Sequence, residues 1–255
     1  MRLSPRHPRY ASLRVRAGLA EAARTELVVP EGLIAHGRGE AFDYLLGERT
    51  SPSARRAERA AARWLLAARR PVLSVNGNVA ALASAEVADL QRAVPGLGVE
   101  VNLFHRTSER AARVARVLRR AGVVRVLGVR PTARLAHLDS DRALVDARGI
   151  ALADVCLVPL EDGDRARALR RAGKRVIAVD LNPLSRTSRE ADLPIVDELT
   201  RALRAIAADA RALGPRARDG RLPAFDAANA RRAALRTIAG TLRREAARRP
   251  RPPRG

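Results

Sequence analysis

Short apolar runs alternate with segments of helical periodicity across residues 71–213. The runs have the length and composition of buried strands, and apolar residues in the segments between them recur at helical spacing. The predicted strands are Pro71–Val75, Gly98–Phe104, Val123–Val129, Ala153–Leu160, Lys174–Val179 and Leu193–Val196. The predicted helices are Ser84–Val94, Thr107–Ala121, one that ends at Ala172 before Gly173, and one capped by Asp197 that runs to Leu213. Strands that alternate with helices predict an α/β core with a parallel sheet at residues 71–213.

Residues 1–70 form an N-terminal helical and loop segment. A helix-like stretch opens at His7–Tyr10 and runs to about Arg24, and a second helix starts at Ser51-Pro52 with Ser51 as its cap. Between them, Pro30 and Gly32 break the apolar run Val28–Ile34. Gly37 and Gly39 then flank Arg38, which indicates a turn that either lets the backbone approach a ligand or is purely structural.

Two further segments follow the core. Residues 215–224 read as a linker, Asp226 starts a C-terminal helix to about Arg248, and residues 249–255 (RPRPPRG) read as a disordered basic tail. Neither a third glycine after GRGEAF nor a Walker A sequence is present, so the standard phosphate-binding fingerprints are absent from the chain.

Polar loops follow several predicted strands. After Val176–Val179 come Asp180, Asn182 and Pro183, and then the hydrogen-bonding run Ser185–Arg189. The carboxyl ends of parallel strands share one edge of a sheet, where ligands bind. Arginine suits phosphate, and Asp or Asn suits ribose or base, so this loop is a candidate nucleotide site. A solvated turn is the alternative interpretation.

Residues 76–78, 102–107 and 161–165 are predicted to converge on the same edge. They carry Asn76 and Asn78, His105 and Arg106, and the acids Glu161, Asp162 and Asp164. A helix start beside an arginine favours anions. The acids either hold a magnesium ion or cap the next helix, and the sequence leaves both open.

Composition narrows the choice of function. The formal charge of +22 points to a polyanion partner, but all but one of the 49 Lys and Arg residues are arginine, spread along the chain, and aromatic residues make up only 2%. We therefore expect small anionic substrates, with a nucleic-acid-binding protein as the alternative. No apolar run approaches the roughly 18 residues of a membrane helix. The single cysteine, Cys156, excludes an internal disulfide and fits a cytoplasmic protein.

Several segments together resemble the archaeal phosphopantothenate synthetase family, 4-phosphopantoate–β-alanine ligase. The resemblance runs from about His7 to Ala202, and the last 40 or so residues match poorly. His105 stands where the family has Tyr, and Thr187 where it has Ser. The matching segments are HPRY (7–10), GLIAHGRGEAFDYLLGERT (32–50), LSVNGNVAAL (73–82), VNLFHRT (101–107), VPLEDGDR (158–165) and VDLNPLSRTSR (179–189).

The resemblance implies a Rossmann-like homodimer that makes an amide at the expense of ATP in coenzyme A synthesis. The carboxylate of 4-phosphopantoate would attack the α-phosphorus of ATP and release diphosphate. The amine of β-alanine would then displace AMP from the acyl-adenylate. A non-catalytic nucleotide-binding scaffold is the further alternative, and it predicts ATP binding without release of AMP.

The resemblance also assigns residues. The implied ATP-binding positions are Arg16, Arg38, Asp180, Leu181, Asn182, Arg186, Thr187, Glu198 and Leu199. Residues 1–70 are thereby expected to contribute to the active site. From their strand-end placement we predict that Asn76, Asn78 and Arg106 hold phosphopantoate, and that His36 or His105 assists deprotonation of the amine. Magnesium would bridge phosphate oxygens, so no metal site built from protein side chains alone is predicted.

Overall fold

The computed structural model describes residue 4, residues 6–7, 10–136, 138–214 and 220–248. Residues 215–219 of the predicted linker and the predicted tail at 249–255 lie outside this part of the chain. No described helix is long and apolar enough to cross a membrane.

Six parallel strands form the central sheet, in the order β3-β2-β1-β6-β7-β8. Their bounds are β1 (Pro71–Val75), β2 (Gly98–Val101), β3 (Val126–Leu127), β6 (Val155–Pro159), β7 (Arg175–Val179) and β8 (Leu193–Ile195). The chain builds the sheet outward from β1 in one direction and then returns beside β1 to build the other half. This is the order of a Rossmann-type sheet, and it confirms the predicted parallel α/β core.

Helices cover both faces of the sheet. Their bounds are α1 (Tyr10–Arg24), α2 (Pro30–Leu46), α3 (Pro52–Ala67), α4 (Gly77–Ala93), α5 (Ser108–Arg120), α6 (Gly163–Arg171), α7 (Arg186–Glu190), α8 (Leu199–Leu213) and α9 (Ala227–Ala246). The larger core lies where α3, α4, α5 and α8 pack against one face, with Trp64, Leu118 and Leu203 among its buried residues. The other face packs on α6 through residues such as Val158 and Leu169.

Helix α2 corrects the prediction for residues 28–44. Pro30 and Gly32 do not break an apolar run: Pro30 is the first residue of a helix that continues through Gly37 and Gly39 to Leu46. Proline is well tolerated there because the first helical N–H has no partner within the helix. Gly47 ends the helix in the left-handed conformation, as a C-terminal glycine commonly does.

Three other boundaries also differ from the prediction. Helix α4 begins at Gly77, because the Asn76 side chain accepts a hydrogen bond from Val79 N and caps it. Helix α8 is capped by Glu198 and not by Asp197. Residues 186–190 form the short helix α7, capped by Ser185, where only a polar loop was predicted.

The segment between β3 and β6, residues 128–154, is held in place by the buried carboxylate of Glu100. It contains the short antiparallel pair β4 (Ala133–Arg134) and β5 (Leu144–Val145). Glu100, on β2, accepts hydrogen bonds from the backbone N–H groups of Asp146 and Ile150 and from Asn102 Nδ2. Burial raises the pKa of Glu100, and these donors partly offset that rise. This segment is therefore tied to β2, the strand next to the edge strand β3.

Candidate active site

The loop after β7 folds around Asp180 and Asn182. Asp180 Oδ1 accepts a hydrogen bond from Asn182 N at 2.9 Å, and Asn182 Oδ1 accepts one from Leu184 N at 2.8 Å. Ser185 then caps α7 by accepting from Ser188 N at 3.0 Å. Short polar side chains thus turn the chain sharply at the carboxyl edge of the sheet, as the sequence predicts.

Helix α2 lies against this loop. Gly39 on α2 lies close to Leu181 in the loop: a Cβ placed on Gly39 would be in van der Waals contact with Leu181 Cδ1, at 3.6 Å. Burial raises the pKa of Asp180, and Ser185, the Asn182 backbone and the charge of Arg38 partly offset the rise. Arg38 therefore lies within electrostatic reach of Asp180, although the two are far apart in sequence. The side chain of Arg38 is itself exposed to solvent.

A second charged group links α1 to α2. Arg16 donates to both carboxylate oxygens of Glu40, at 2.9–3.2 Å, and Tyr44 Oη donates to Glu40 Oε1 at 3.1 Å. Burial alone would raise the pKa of Glu40, but the Arg16 and Tyr44 hydrogen bonds lower it overall. Glu40 is therefore ionised at neutral pH, and it holds the Arg16 guanidinium beside α2.

His36 lies among these charges. Burial lowers the pKa of His36; the neighbouring carboxylates Glu40 and Glu198 oppose that change, and Arg16 adds to it. A histidine with a lowered pKa is neutral at pH 7 and can accept a proton. Three of the predicted positions thus share one neighbourhood: Arg16 and His36 from the N-terminal helices and Glu198 from the start of α8.

Arg186 and Thr187 begin helix α7 and pack on the start of α6. Gly163 allows this contact, since a Cβ at Gly163 would overlap the Cβ and backbone of Arg186. Thr187 Oγ1 donates to the carbonyl of Glu161 and is buried. The Arg186 side chain is exposed. The close approach of two helix starts therefore fixes where Arg186 leaves the backbone.

Glu198 and Leu199 start α8. The Glu198 carboxylate accepts hydrogen bonds from Thr200 N and Arg201 N, both at 2.9 Å, and Leu199 is buried. The next turn brings in Arg201, which donates to Asp43 on α2 and to Asp197. Sequence reasoning missed Glu40, Asp43 and Arg201, because their partners lie on other elements.

The two asparagines after β1 are hydrogen-bonded to the chain. Asn76 Nδ2 donates to the carbonyl of Leu160 at 2.8 Å, and Asn78 Nδ2 donates to the carbonyl of Gly32 at 2.7 Å. Asn76 thus ties the end of β1 to the end of β6, and Asn78 ties the first turn of α4 to the start of α2. Their predicted contact with phosphopantoate stays a prediction.

Arg106 and His105 follow β2. Arg106 Nη2 donates to the carbonyls of Gly128 and Val129 at 2.6 and 2.9 Å, which turns that part of the guanidinium toward the chain. His105 is exposed, with Nε2 3.8 Å from Glu31 Oε1. Of the two histidines predicted to act on the amine, only His36 lies beside Arg16 and Glu198.

The acids after β6 are engaged in ion pairs. Arg142 pairs with both Glu161 and Asp162, and Asp162 occupies the cap position of α6 without a side-chain capping bond. A cleft of about 360 Å³ lies beside them, between α6 and residues 138–140, with the ring of Phe104 at its rim. Within the described ranges, no three His, Cys, Asp or Glu side chains come together as a metal site.

This sheet order, with basic side chains and hydrogen-bonding loops at its carboxyl edge, is that of a Rossmann-type α/β protein. The family model for phosphopantothenate/pantothenate synthetase matches residues 53–241. The chain therefore belongs to the phosphopantothenate/pantothenate synthetase family. The match ends within α9, so it includes the whole sheet.

Named relatives agree with the family model. A 4-phosphopantoate–beta-alanine ligase of Methanospirillum hungatei is 58% identical over 201 residues, covering 79% of this chain and 82% of the relative. Proteins with the same name from Methanosarcina mazei and Thermococcus kodakarensis are 54% and 53% identical over 197 residues, covering 77% of this chain and 77% and 75% of the relatives.

Proposed function

We propose that the chain is an ATP-dependent ligase that joins 4-phosphopantoate to β-alanine and releases AMP and diphosphate, on the route to coenzyme A. The observation that carries this proposal is that α2 lies against the β7 loop, so that the charge of Arg38 acts on Asp180 at the carboxyl edge of the sheet. The relatives named as this ligase support the same activity.

The charges of this region suit the first step. A carboxylate must approach the α-phosphorus of ATP although both carry negative charge, so the site has to neutralise charge and hold both groups in line. Arg38 and Arg186 have exposed guanidinium groups available for phosphate oxygens. Arg16 is held by Glu40 and is also exposed to solvent. The carboxylate attacks phosphorus, and the bond to diphosphate breaks.

His36 is our candidate for the second step. The amine of β-alanine must lose a proton as it attacks the acyl carbonyl, and the bond to AMP breaks. The lowered pKa of His36 leaves a free ring nitrogen at neutral pH to accept that proton. The carboxylates of Glu40 and Glu198 stabilise the imidazolium that this transfer produces, and so oppose the effect of burial.

Magnesium fits the site as a partner of the nucleotide. The carboxylates nearby already accept hydrogen bonds, as Asp180 does from Asn182 and Glu198 does from Thr200. Such a site suits an ion held mainly by phosphate oxygens, with few protein ligands. When bound, magnesium supplies positive charge to the phosphates.

The activity is tested by incubating the protein with ATP, magnesium, 4-phosphopantoate and β-alanine and measuring AMP and diphosphate by chromatography. We expect equimolar AMP, diphosphate and 4′-phosphopantothenate, and no turnover when phosphopantoate is omitted. Formation of ADP in place of AMP, or AMP release that does not depend on phosphopantoate, would contradict the proposed reaction.

We also propose that the protein is a cytoplasmic homodimer. Leu33 and Ile34 on α2 are exposed, and Ile34 is 64% accessible, which is unusual for two adjacent large apolar residues. Sedimentation should give twice the mass of one chain, and Ile34→Asp should give a monomer. Val124→Asp is the matched control, because Val124 is 90% exposed in the loop before β3. A monomeric wild-type protein would rule out the dimer.

A further inference from the structure

Asp43, Arg201 and Asp197 form a charged bridge between α2 and the start of α8. Arg201 Nη1 and Nη2 donate to the two oxygens of Asp43 at 3.1 and 2.5 Å. Arg201 Nε and Nη2 donate to Asp197 Oδ1 at 3.0 and 2.8 Å. One planar guanidinium thus serves two carboxylates, a geometry that lysine cannot reproduce.

The far side of the bridge is buried. Asp197 is 1% exposed, and its second oxygen, Oδ2, accepts from Thr50 Oγ1 at 2.5 Å. Glu58 on α3 lies next to Asp197 and is fully buried. Burial first, and the Asp197 carboxylate second, raise the pKa of Glu58 to about 8. At neutral pH Glu58 is therefore mostly the neutral acid, so one negative charge, not two, faces Arg201 from this side.

We propose that the Asp43–Arg201–Asp197 bridge positions the nucleotide site by holding the helix that carries Arg38 against the chain that carries Glu198 and Leu199. Asp43 follows Arg38 on α2, and Asp197 directly precedes Glu198. The bridge therefore joins the two elements whose separation sets the width of the predicted ATP site. This inference rests on the proposed nucleotide site. It assigns a role to residues that make no contact with the reacting atoms.

On the sheet side, α2 is anchored near its start, where Asn78 Nδ2 donates to the carbonyl of Gly32, and at its C-terminal end. Its C-terminal end packs through Leu46, with Phe42 and Leu45 partly buried against α9 residues. Toward its start, Glu31 and Leu33–Ala35 are exposed, as is Arg38 itself. Arg38 lies between these two anchors, and its guanidinium moves with any shift of the helix. The bridge holds α2 at Asp43, between Arg38 and the C-terminal end of the helix.

Protonation of Glu58 maintains the bridge. The charged groups that face Glu58 are Asp197 from the loop after β8, Arg55 from its own helix and Asp209 from α8, with Arg201 on the other side of Asp197. Arg55 is engaged by Asp209, with Nη2 2.6 Å from Oδ1, and its Nη1 lies 3.7 Å from Glu58 Oε2. Ionised Glu58 would repel Asp197 and draw Arg201 away from Asp43. Nucleotide affinity should therefore fall as pH rises past neutrality.

The test compares Asp43→Asn with Glu86→Gln. Glu86 makes a matched bridge to the same helix: Arg204 Nε and Nη2 donate to Glu86 Oε1 at 3.0 and 2.6 Å, but from α4. We expect Asp43→Asn to raise the Kd of ATP, measured by calorimetry, and its KM by roughly 3- to 30-fold, with a much smaller change in kcat. Glu86→Gln should leave both unchanged.

Equal ATP affinity in the two variants would overturn the positioning role. So would a loss of kcat in Asp43→Asn with no change in the KM of ATP, because that is the signature of a group acting in the chemical step. Arg201→Lys, which keeps the charge, serves if Asp43→Asn does not fold, and it should also weaken ATP binding. Failure of the proposed nucleotide site itself would appear separately, as ATP binding that Arg38→Met leaves intact.

The pH profile gives a readout that loss of stability alone would not move. The Kd of ATP for the wild type should rise between about pH 7 and 9, and Glu58→Gln should remove that rise because the amide cannot ionise. A rise retained in Glu58→Gln, or a flat wild-type profile, would overturn the role of Glu58. The raised pKa of Glu58 also makes the stability of the fold depend on pH. The stability that neutral Glu58 contributes is fully present below the unfolded pKa of 4.5 and is lost as pH rises through about 8.

Discussion

His36 owes its properties to its neighbours rather than to its place in the sequence. The chain has four histidines, and spacing alone does not separate His36 from His105. The structure places His36, half-buried, near Glu40, Glu198 and Arg16, whereas His105 is exposed to solvent. A proton acceptor requires both a lowered pKa and a place in the site, and His36 has both.

We predict that His36→Gln lowers kcat by roughly 100-fold or more, because amine deprotonation loses its acceptor. His105→Gln is the matched control and should change kcat little. Since burial lowers the pKa of His36 from 6.5, kcat of the wild type should fall only on the acid side, at a pH below 6.5. Steady-state kinetics from pH 5 to 8 measure both effects, and equal losses in the two variants would exclude His36 as the base.

The residues that sequence reasoning missed become neighbours only once the chain is folded. Glu40 and Tyr44 stand one helical turn apart and are neighbours on α2. That spacing would have indicated a cluster if residues 30–46 had been recognised as a helix. Asp43 precedes the first strand of the sheet and Arg201 follows the last one. Only the fold shows that the two side chains meet.

Helices α6 and α7 approach closely because Gly163 has no side chain. The approach places the backbone of Arg186 beside the end of β6 and buries Thr187. Two elements that each follow a different strand thereby act as one wall of the predicted ATP site. Gly163 is evident in the sequence, but glycine is required there because of its contact with Arg186, which the sequence does not reveal.

Gly163→Ala should therefore destabilise the protein by about 1–3 kcal/mol, because α7 must move to admit the methyl group. It should also weaken ATP binding through the displacement of Arg186. Gly18→Ala is the matched control: Gly18 lies in α1 with open space around it, and alanine there should stabilise by about 0.5–1 kcal/mol. Denaturant unfolding and ATP titration measure the two effects. Unchanged stability in Gly163→Ala would contradict the packing argument.

The alternation of strands and helices in the core was predictable from the sequence, whereas the helical structure of residues 30–46 was not. Buried strands such as Val155–Pro159 and Arg175–Val179 are almost continuously apolar, which is a strong signal. The sequence signal for helix α2 is weak, since its glycines and its first proline are residues that usually interrupt helices. Tertiary contacts with α1 and α9 stabilise α2 and override that local preference.

At the scale of the molecule, the parallel sheet determines where the site lies. Because all six strands point the same way, the loops that begin at Asn76, Asn102, Glu161 and Asp180 share one edge. This convergence could be predicted from the alternation of strands and helices alone. The addition of α1 and α2 to that edge was implied only by the family resemblance, through Arg16 and Arg38, because the pattern of their own residues does not say which end of the sheet they cover.

The positive charge of +22 is a property of the whole chain rather than of one surface. Many arginines pair with acids between elements, as Arg167 does with Glu190 and Arg211 does with Asp89. Exposed pairs of this kind contribute little to stability. They do cancel charge locally, so the unpaired arginines at the carboxyl edge have more influence on where a small anion binds.

The central claim is that α2 and the β7 loop form one nucleotide site through Arg38. Isothermal calorimetry of ATP binding to Arg38→Met tests it most directly, with Arg120→Met as control because Arg120 is an exposed arginine at the far end of α5. We predict that Arg38→Met raises the Kd of ATP by roughly 10- to 100-fold, since a charge-assisted contact to phosphate is lost. Arg120→Met should bind like the wild type. Wild-type affinity in Arg38→Met would contradict the account.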